Sequence, residues 1–257
     1  MCGLPAWPYP KLAAHRGAGK LAPENTLASL RLGHAHGYRM VEIDVKLSAD
    51  GVAFLLHDAT LDRTTNAVGR ADGLSWRELS QLDAGAWHSP PYAGEPLATL
   101  AAVARWTRAN DVAVNIEIKP TPGRERETGA AIALDAKALW AGADVKPLLS
   151  SFSEIALEAA RDAAPELSRA WLIEQWQDDW REHVMRLACV AMDVKHTVMT
   201  RERVDQFHAG GVRVAAWTAN DPARVGDLLA WGVDTVITDA VDVIPARDGA
   251  LTTHPPP

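Results

Sequence analysis

The chain has 257 residues, with 26 Lys and Arg against 33 Asp and Glu, a formal charge of −7 and 47% hydrophobic residues. A net negative charge without a basic stripe argues against a nucleic-acid partner, and the absence of a run of about 18 apolar residues argues against stable membrane insertion. The length is sufficient for one large core, because barrels of repeated strand–helix units run to about 250 residues as a single domain.

The cysteine content indicates a reducing environment. Cys2 lies near the start of the sequence, and Cys189 lies in the apolar run 187–192, where we expect a core residue rather than a disulfide partner. The first residues hold no apolar stretch of signal-peptide length, so we predict a cytoplasmic protein. The proline-rich segments 5–10 and 255–257 are expected to form extended arms outside the fold.

Short runs rich in Val, Ile and Leu alternate with segments of helical period from residue 11 to residue 239. This alternation predicts an α/β fold, a TIM (β/α)8 barrel, built as a single domain over residues 1–257 with the barrel at about 11–245. The predicted barrel strands are Lys11–His15, Met40–Val45, Val112–Ile118, Pro147–Ser151, Ser168–Ile173, Cys189–Val194, Val212–Trp217 and Thr235–Thr238.

The intervening helices have clear start and stop signals. A helix is predicted over Thr26–His36, and Asp221 can cap a later helix that opens on a proline. The regular pattern is interrupted once. A short strand, Val52–His57, is followed by a turn-rich insertion of about residues 58–96, before the next helix at Leu97–Asn110.

Acidic residues fall on one side of two predicted strands. In a strand Glu42 and Asp44 point to the same side, and Asn115 and Glu117 repeat this arrangement on the next strand. A lone pair of this kind is usual on a solvated edge strand, but two neighbouring strands favour a cluster at the barrel mouth. Three carboxylates repel one another unless a cation or proton intervenes, so the pattern predicts Mg²⁺ or Ca²⁺. Zinc is less favoured because no paired Cys or His ligand spacing is present.

Basic and titratable residues fall at the same predicted mouth. His15 and Arg16 end the first strand, His57 ends the short strand, and Lys119 follows the third. Arg and Lys beside a divalent cation describe a phosphate site, and two histidines beside it are candidates for the general acid and general base. Lys195 and His196 could reach the mouth from the sixth strand or be loop residues. No nucleophile motif is evident.

These motifs resemble the glycerophosphodiester phosphodiesterase family. The resemblance is carried by three segments in order, namely AHRGAGKLAPENTLASL, VEIDVKLSADGVAFLLHDATLDRTTNAVGR and NIEIKP. It extends through the insertion and more loosely to the end of the chain. It implies a TIM barrel that hydrolyses glycerophosphodiesters to glycerol 3-phosphate and an alcohol, using one divalent cation, Mg²⁺ or Ca²⁺.

The resemblance also assigns roles to individual residues. The implied metal ligands are Glu42, Asp44 and Glu117. The implied catalytic pair is His15 and His57. The implied substrate-binding residues, on the phosphate or along the glycerol and alcohol side, are Arg16, Lys119, Asn25, Trp217 and Phe152. The segments WLIEQWQDDW and DVKHTVMT depart from the aromatic-rich pattern of the family, so the leaving alcohol is not defined by the resemblance.

Alternatives remain open at this point. The attacking oxygen is water or the 2-hydroxyl of the glycerol, and the geometry of related barrel phosphodiesterases favours the hydroxyl. A lyase that releases a cyclic phosphate is a second hypothesis, disfavoured by the lack of paired cysteines. A non-catalytic sugar-phosphate-binding barrel is a third, disfavoured because every expected site residue is present.

The expected partner is a small-molecule substrate. Trp176 and Trp180, four residues apart on a predicted helix, indicate core packing or a homodimer contact.

Overall fold

The computed structural model describes residues 3–246. Strands and helices alternate along this part of the chain as the sequence predicts. The strands are β1 Leu12–Ala14, β2 Met40–Leu47, β3 Ala53–Leu55, β4 Ala113–Ile118, β5 Leu148–Ser151, β6 Arg169–Ile173, β7 Ala191–Lys195, β8 Arg213–Trp217 and β9 Thr235–Thr238. The helices are α1 Leu27–Ala35, α2 Trp76–Leu79, α3 Leu100–Ala109, α4 Glu125–Leu139, α5 Glu154–Ala163, α6 Trp180–Leu187, α7 Arg201–Ala209 and α8 Pro222–Ala230.

Eight parallel strands close into a barrel. The order β1–β9–β8–β7–β6–β5–β4–β2 returns to β1, because Ala14 pairs with Thr238 of β9 on one side and with Val41 of β2 on the other. Strands β2, β5, β6 and β9 are buried along their whole length, as expected where side chains pack both inside the barrel and under the helices. The predicted TIM-barrel fold is confirmed.

Strand β2 is shared between the barrel and the insertion. Its first half pairs with β1 at Val41, and its last three residues pair antiparallel with β3, with Val45 opposite Leu55. The short strand is therefore the second arm of a hairpin, and the chain reverses direction before it. The insertion from Leu56 to Thr99 packs with Phe54 of β3 in a small core of its own, whose other members are Leu56, Leu61, Ala71, Leu79, Ala84 and Leu97.

Local signals place the helices as expected. Thr26 caps α1 by accepting a hydrogen bond from the N–H of Ser29, and Asp221 caps α8 by accepting one from the N–H of Ala223. Helix α3 begins at Leu100, three residues after the predicted start, because Thr99 is its cap. Cys189 is buried in the core, as predicted.

The prediction that the N-terminal proline-rich arm lies outside the fold is wrong. Tyr9 is buried in an apolar cluster with Ala13 and Ile237, and the indole N–H of Trp7 donates to Oγ1 of Thr235 at 3.0 Å. Arg213 also donates to the carbonyl of Pro5 at 2.8 Å. The arm covers residues near the amino ends of β1 and β9, since its two aromatic rings bury more apolar surface there than a solvated arm would. Cys2 and residues 255–257 lie outside the described residues.

The two tryptophans of the sixth βα unit have different environments. Trp180 is buried, with its ring centroid 4.7 Å from that of Phe207, whereas Trp176 is half-buried and lies under the guanidinium of Arg203. Trp180 thus packs within the subunit. No helix in residues 3–246 combines the length and the apolarity needed to cross a lipid bilayer.

Candidate active site

A cavity of about 270 Å³ opens at the carboxyl ends of the barrel strands. In parallel barrels this end is built by the strand termini and the loops that follow them, which is where polar side chains converge. The lining residues are His15, Arg16, Glu42, His57, Asn115, Glu117, Lys119, Ser150, Phe152, Leu172, Glu174, Asp193, Trp217, Thr218 and Ile237. Eight of the ten residues predicted from sequence are among them, and Asn25 and Asp44 lie behind the surface.

Three carboxylates meet beside this cavity. Glu42, Asp44 and Glu117 each offer an oxygen within 4.8 Å of the others. Their convergence follows from the strand register, which places Asp44 of β2 directly opposite Glu117 of β4. Oε1 of Glu42 is buried without a hydrogen-bond partner, which is costly for a carboxylate unless a cation or proton satisfies it. Clustered hard oxygen donors of this kind fit Mg²⁺ or Ca²⁺.

The electrostatics of the cluster agree with that fit. Burial, with the nearby charge of Asp44, raises the pKa of Glu42 to about 8 and that of Glu117 to about 7. Burial also acts to raise the pKa of Asp44, but the charges of Arg16 and Lys119 outweigh it and hold that pKa below its ordinary value. Without a cation, Glu42 and Glu117 therefore hold their protons to a higher pH than ordinary carboxyl groups do, and a bound cation would displace those protons.

A strained turn after β1 brings the backbone to the acids. Arg16 has φ +52°, and its N–H donates to Oε2 of Glu42 at 3.1 Å. Such values are uncommon for residues other than glycine and persist where surrounding contacts fix them. Gly17 follows with φ +101°, and a Cβ atom on it would lie 2.3 Å from Oγ of Ser29. Only glycine lets helix α1 approach this turn so closely.

Asn25, predicted to contact the substrate, lies behind the acidic cluster and contacts Asp44. Both ends of its amide bind Asp44: Nδ2 donates to Oδ2 at 2.8 Å, and Oδ1 accepts from the backbone N–H at 3.0 Å. Asn25 is buried, with φ +59°, a conformation that Asn tolerates better than most residues. It therefore positions a carboxylate of the acidic cluster rather than lining the cavity.

Both histidines are held by carboxylates through the same ring nitrogen. Nδ1 of His15 lies 2.6 Å from Oδ1 of Asp239, whose other oxygen accepts from Nδ2 of Asn220 at 3.0 Å. Nδ1 of His57 lies 2.7 Å from Oδ1 of Asp58. Since an ionised carboxylate only accepts, each Nδ1 carries a proton, and each Nε2 is available for proton transfer.

The two histidines differ in electrostatic environment. Burial acts to lower the pKa of His15, but the hydrogen bond to Asp239 and the charge of Glu42 outweigh it and raise the pKa. Burial lowers the pKa of His57, and the opposing effect of Asp44 does not restore it. Two titratable groups with pKa values displaced in opposite directions are a common arrangement where one donates and the other accepts a proton.

Two basic side chains, Lys119 and Arg16, lie beside the acidic cluster. Nζ of Lys119 is 2.9 Å from Oε1 of Glu117 and 3.7 Å from Oδ1 of Asp44. Nε of Arg16 is 3.3 Å from Oδ2 of Asp44, an ion pair without hydrogen-bond alignment. Both cations line the cavity, so they are placed to contact an anion there as well as the acids.

Two aromatic rings form one wall of the cavity. Phe152 follows β5 and Trp217 ends β8, with ring centroids 5.5 Å apart at an interplanar angle of 89°. Phe152 is 45% exposed, so an apolar surface faces solvent at the mouth. Lys119 lies 5.9 Å from its ring centroid. This wall suits carbon-bound hydrogens of a small substrate beside the charged part of the cavity.

Comparison with known proteins identifies the family. Residues 15–243 match the model of the Glycerophosphoryl diester phosphodiesterase family. The chain belongs to this family. It is 31% identical, over 88% of its length and 92% of the relative's, to the glycerophosphodiester phosphodiesterase of Caldanaerobacter subterraneus subsp. tengcongensis. The resemblance found in the sequence is thereby confirmed, and with it the assignment to the phosphoric diester hydrolases.

Solved structures of the family superpose on the barrel. A phosphodiesterase of Oleispira antarctica, in complex with the product sn-glycerol-3-phosphate, is 34% identical with a TM-score of 0.85, over 93% of this chain and 94% of that one. The glycerophosphodiester phosphodiesterase of Agrobacterium tumefaciens strain C58 is 26% identical with a TM-score of 0.78, over 93% and 100% of the two chains.

Two basic residues near the barrel mouth, Lys195 and His196, do not line the cavity. Lys195 forms an ion pair with Glu174 at 2.6 Å, and His196 opens a short 3₁₀ turn after β7. Lys195 is the last residue of β7, and its partner Glu174 lines the cavity, whereas His196 lies in the loop that follows.

The sequence does not show which residues hold the histidines and the arginine. Asp58 and Asp239 bind the two imidazoles, and Glu24 accepts from Nη1 of Arg16 at 2.8 Å. Arg63 of the insertion binds both Glu24 and Asp58. The three segments that carry the family resemblance contain Glu24, Asp58 and Arg63, but a sequence motif does not show which side chains contact each other. Asp239 lies 224 positions from His15, and only barrel closure brings them together.

Proposed function

We propose that this chain hydrolyses glycerophosphodiesters to glycerol 3-phosphate and an alcohol, with one divalent cation and two histidines. The observation that carries the proposal is the cavity itself. It combines an acidic cluster, two cations and two histidines whose Nδ1 atoms are held by carboxylates. Family membership and the glycerol 3-phosphate bound by the relative from Oleispira antarctica support the substrate class.

Glu42, Asp44 and Glu117 are the residues that would hold the cation, Mg²⁺ or Ca²⁺. When bound, it would polarise a phosphoryl oxygen and neutralise negative charge. The charge of Lys119 favours the ionised form of Asp44, and Asn25 fixes the orientation of that carboxylate. This role explains why the barrel tolerates three carboxylates in one small, buried space.

Arg16 and Lys119 bind the nonbridging phosphate oxygens and offset the charge that develops there. The two histidines transfer protons at Nε2. One takes the proton of the attacking oxygen, and the other protonates the departing alkoxide. The carboxylates of Asp239 and Asp58 keep each ring in the required tautomer. We assign the attacking oxygen to the 2-hydroxyl of the glycerol, which makes a cyclic phosphate a transient species in the reaction.

The test is release of glycerol 3-phosphate from glycerophosphocholine and glycerophosphoethanolamine, measured through a coupled dehydrogenase. Enzyme stripped with EDTA is compared with enzyme to which Mg²⁺ or Ca²⁺ is restored. We expect release only with a cation. Release that is unaffected by chelation would contradict the metal role, and no release with any ion would contradict the substrate assignment.

Phosphorus NMR of the same reaction separates the hydrolase from the lyase. A transient cyclic phosphate that decays to glycerol 3-phosphate supports attack by the internal hydroxyl. A cyclic phosphate that accumulates as the end product would instead make the enzyme a lyase. Water attack gives glycerol 3-phosphate without a cyclic species.

The setting and assembly are part of the proposal. We place the enzyme in the cytoplasm as a single domain over residues 1–257, where it would return phospholipid-derived glycerol 3-phosphate to metabolism. Burial of Trp180 within the subunit leaves Trp176 as the aromatic contact for a homodimer. Analytical ultracentrifugation of the wild type and Trp176→Ala tests this: a dimer that dissociates in the variant supports the contact, and a wild-type monomer excludes it.

A further inference from the structure

One arginine of the insertion joins two carboxylates that serve different parts of the site. Nε and Nη2 of Arg63 lie 2.7 Å and 3.1 Å from the two oxygens of Asp58. Nη1 and Nη2 lie 2.7 Å from the two oxygens of Glu24. The guanidinium thus makes two bidentate contacts at once, which is the geometry that only its planar fork provides.

Each of these carboxylates in turn holds a residue of the cavity. Asp58 accepts from Nδ1 of His57, and Glu24 accepts from Nη1 of Arg16 at 2.8 Å. Glu24 and Arg16 belong to the loop after β1, while Asp58 and Arg63 belong to the insertion after β3. Arg63 therefore connects one histidine of the insertion to the phosphate-binding arginine of the barrel.

Arg63 acts from outside the cavity. Neither it nor Asp58 nor Glu24 is among the lining residues, and the Arg63 side chain is 44% exposed. A single exposed ion pair contributes little, but four short bonds to two carboxylates restrict both of them. Burial acts to raise the pKa of Glu24, yet the bonds from Arg63 and the charge of Arg16 outweigh it and lower that pKa.

We propose that Arg63 is a positioning residue. It fixes His57, which transfers a proton, and Arg16, which binds the phosphate, in their positions relative to each other. The inference rests on the proposed function, because it concerns the same reaction. It assigns to the insertion a role in aligning the site. Arg63 contacts neither the acids that would hold the cation nor the cavity, so its effect passes through Asp58 and Glu24.

The matched control is Arg70→Ala. Arg70 lies in the same insertion and forms a comparable surface ion pair, Nη2 to Oδ2 of Asp72 at 2.9 Å, but Asp72 binds no cavity residue that is part of the proposed chemistry. We expect Arg63→Ala to lower kcat/KM for glycerophosphocholine by about 10–100-fold, as is usual for residues that orient active-site groups. Arg70→Ala should stay within about twofold of the wild type, by the small worth of exposed ion pairs.

Two further results separate positioning from a general loss of structure. Because Arg63 is accessible, added guanidinium ion at non-denaturing concentration should restore part of the activity of Arg63→Ala, whereas Arg63→Lys should remain impaired. In the background Asp58→Asn/Glu24→Gln, removing Arg63 should have no further effect. A full additional loss there, or absence of rescue together with a large fall in Tm, would overturn the proposal.

A measurement that does not require turnover tests the positioning role of Arg63 independently of the proposed function. Ring ¹⁵N NMR of His57 reports which nitrogen carries the proton, and we expect the Nδ1–H tautomer in the wild type and a mixture in Arg63→Ala. An unchanged tautomer would overturn the link between Arg63 and His57. If the wild type releases no glycerol 3-phosphate, the proposed function fails, while the NMR comparison still tests the positioning role.

Discussion

His15 and Asp239 are 224 positions apart in the sequence, yet Nδ1 of one lies 2.6 Å from Oδ1 of the other. The contact exists because β1 and β9 are adjacent in the closed barrel, with Ala14 paired to Thr238. His57 receives the same support from its immediate neighbour Asp58. One histidine is therefore oriented by the global fold and the other by local sequence.

Loss of the Asp239 carboxylate should impair His15 without unfolding the protein. Asp239→Asn keeps the shape, but its amide can donate to Nδ1 and so favour the wrong tautomer. We expect kcat for glycerophosphocholine to fall by about 100-fold, with Tm within a few degrees of the wild type. Steady-state kinetics and thermal denaturation check this. A variant with wild-type kcat would show that the contact does not orient His15.

His57→Ala should abolish turnover of diesters with poor leaving groups. A general acid or base contributes about 10²–10⁴-fold, and the cavity would keep its cations and acids. Comparison of glycerophosphocholine with a p-nitrophenyl diester then shows the role of His57. A much smaller defect on the nitrophenyl substrate means that His57 is the acid, and equal defects mean that it is the base. Wild-type rates on both would refute its participation.

The cation-free protein should lose stability as pH rises. Burial raises the pKa of Glu42 to about 8, and that of Glu117 and Asp193 to about 7. These groups hold protons in the folded state that the unfolded chain releases near pH 4–4.5. Their contribution is therefore complete below about pH 4 and is lost as pH rises toward 8. Added Mg²⁺ or Ca²⁺ should flatten this dependence.

Thermal denaturation between pH 5 and 8, with EDTA and with each cation, measures this effect. Asp193→Asn provides a control, because it removes one of the three groups while leaving the proposed ligands in place. Its Tm should fall less steeply with pH than that of the wild type. A cation-free Tm that rises over this range would contradict the assignment of the buried protons.

The turn after β1 should not tolerate a side chain at Gly17. Gly17→Ala places a Cβ atom 2.3 Å from Oγ of Ser29, at φ +101°. We expect a loss of about 3 kcal/mol in the free energy of unfolding, from strain and overpacking. Gly226→Ala, in helix α8 with nothing near the new Cβ, should gain about 0.5–1 kcal/mol. Chemical denaturation measures the free energy of unfolding of both variants. Equal changes in the two variants would contradict the prediction that Gly17 is sterically restricted.

The sequence predicts the barrel and most of the cavity, because strand period and polar strand ends depend on local pattern. Glu42 and Asp44 are two residues apart, so their shared direction follows from one strand alone. The partners of the histidines depend on closure and loop conformation, which no local period describes. From the sequence alone, Arg63 resembles a solvated surface residue. The packing of Trp7 and Tyr9 against the barrel is not predicted either, because the surrounding prolines indicate an extended, solvated segment.

The hairpin of β2 and β3 makes the distance between His15 and His57 depend on strand register. His15 follows a barrel strand, whereas His57 follows β3, which pairs with Val45, Lys46 and Leu47 of β2, and the N–H of Leu56 donates to the carbonyl of Asp44. A slip of one residue would shift His57 by about 3.4 Å and turn neighbouring side chains to the opposite face. The length of the five-residue loop between β2 and β3 therefore helps to set the position of His57. An added residue that shifted this register would leave the charges of the barrel in place while it moved His57 relative to His15.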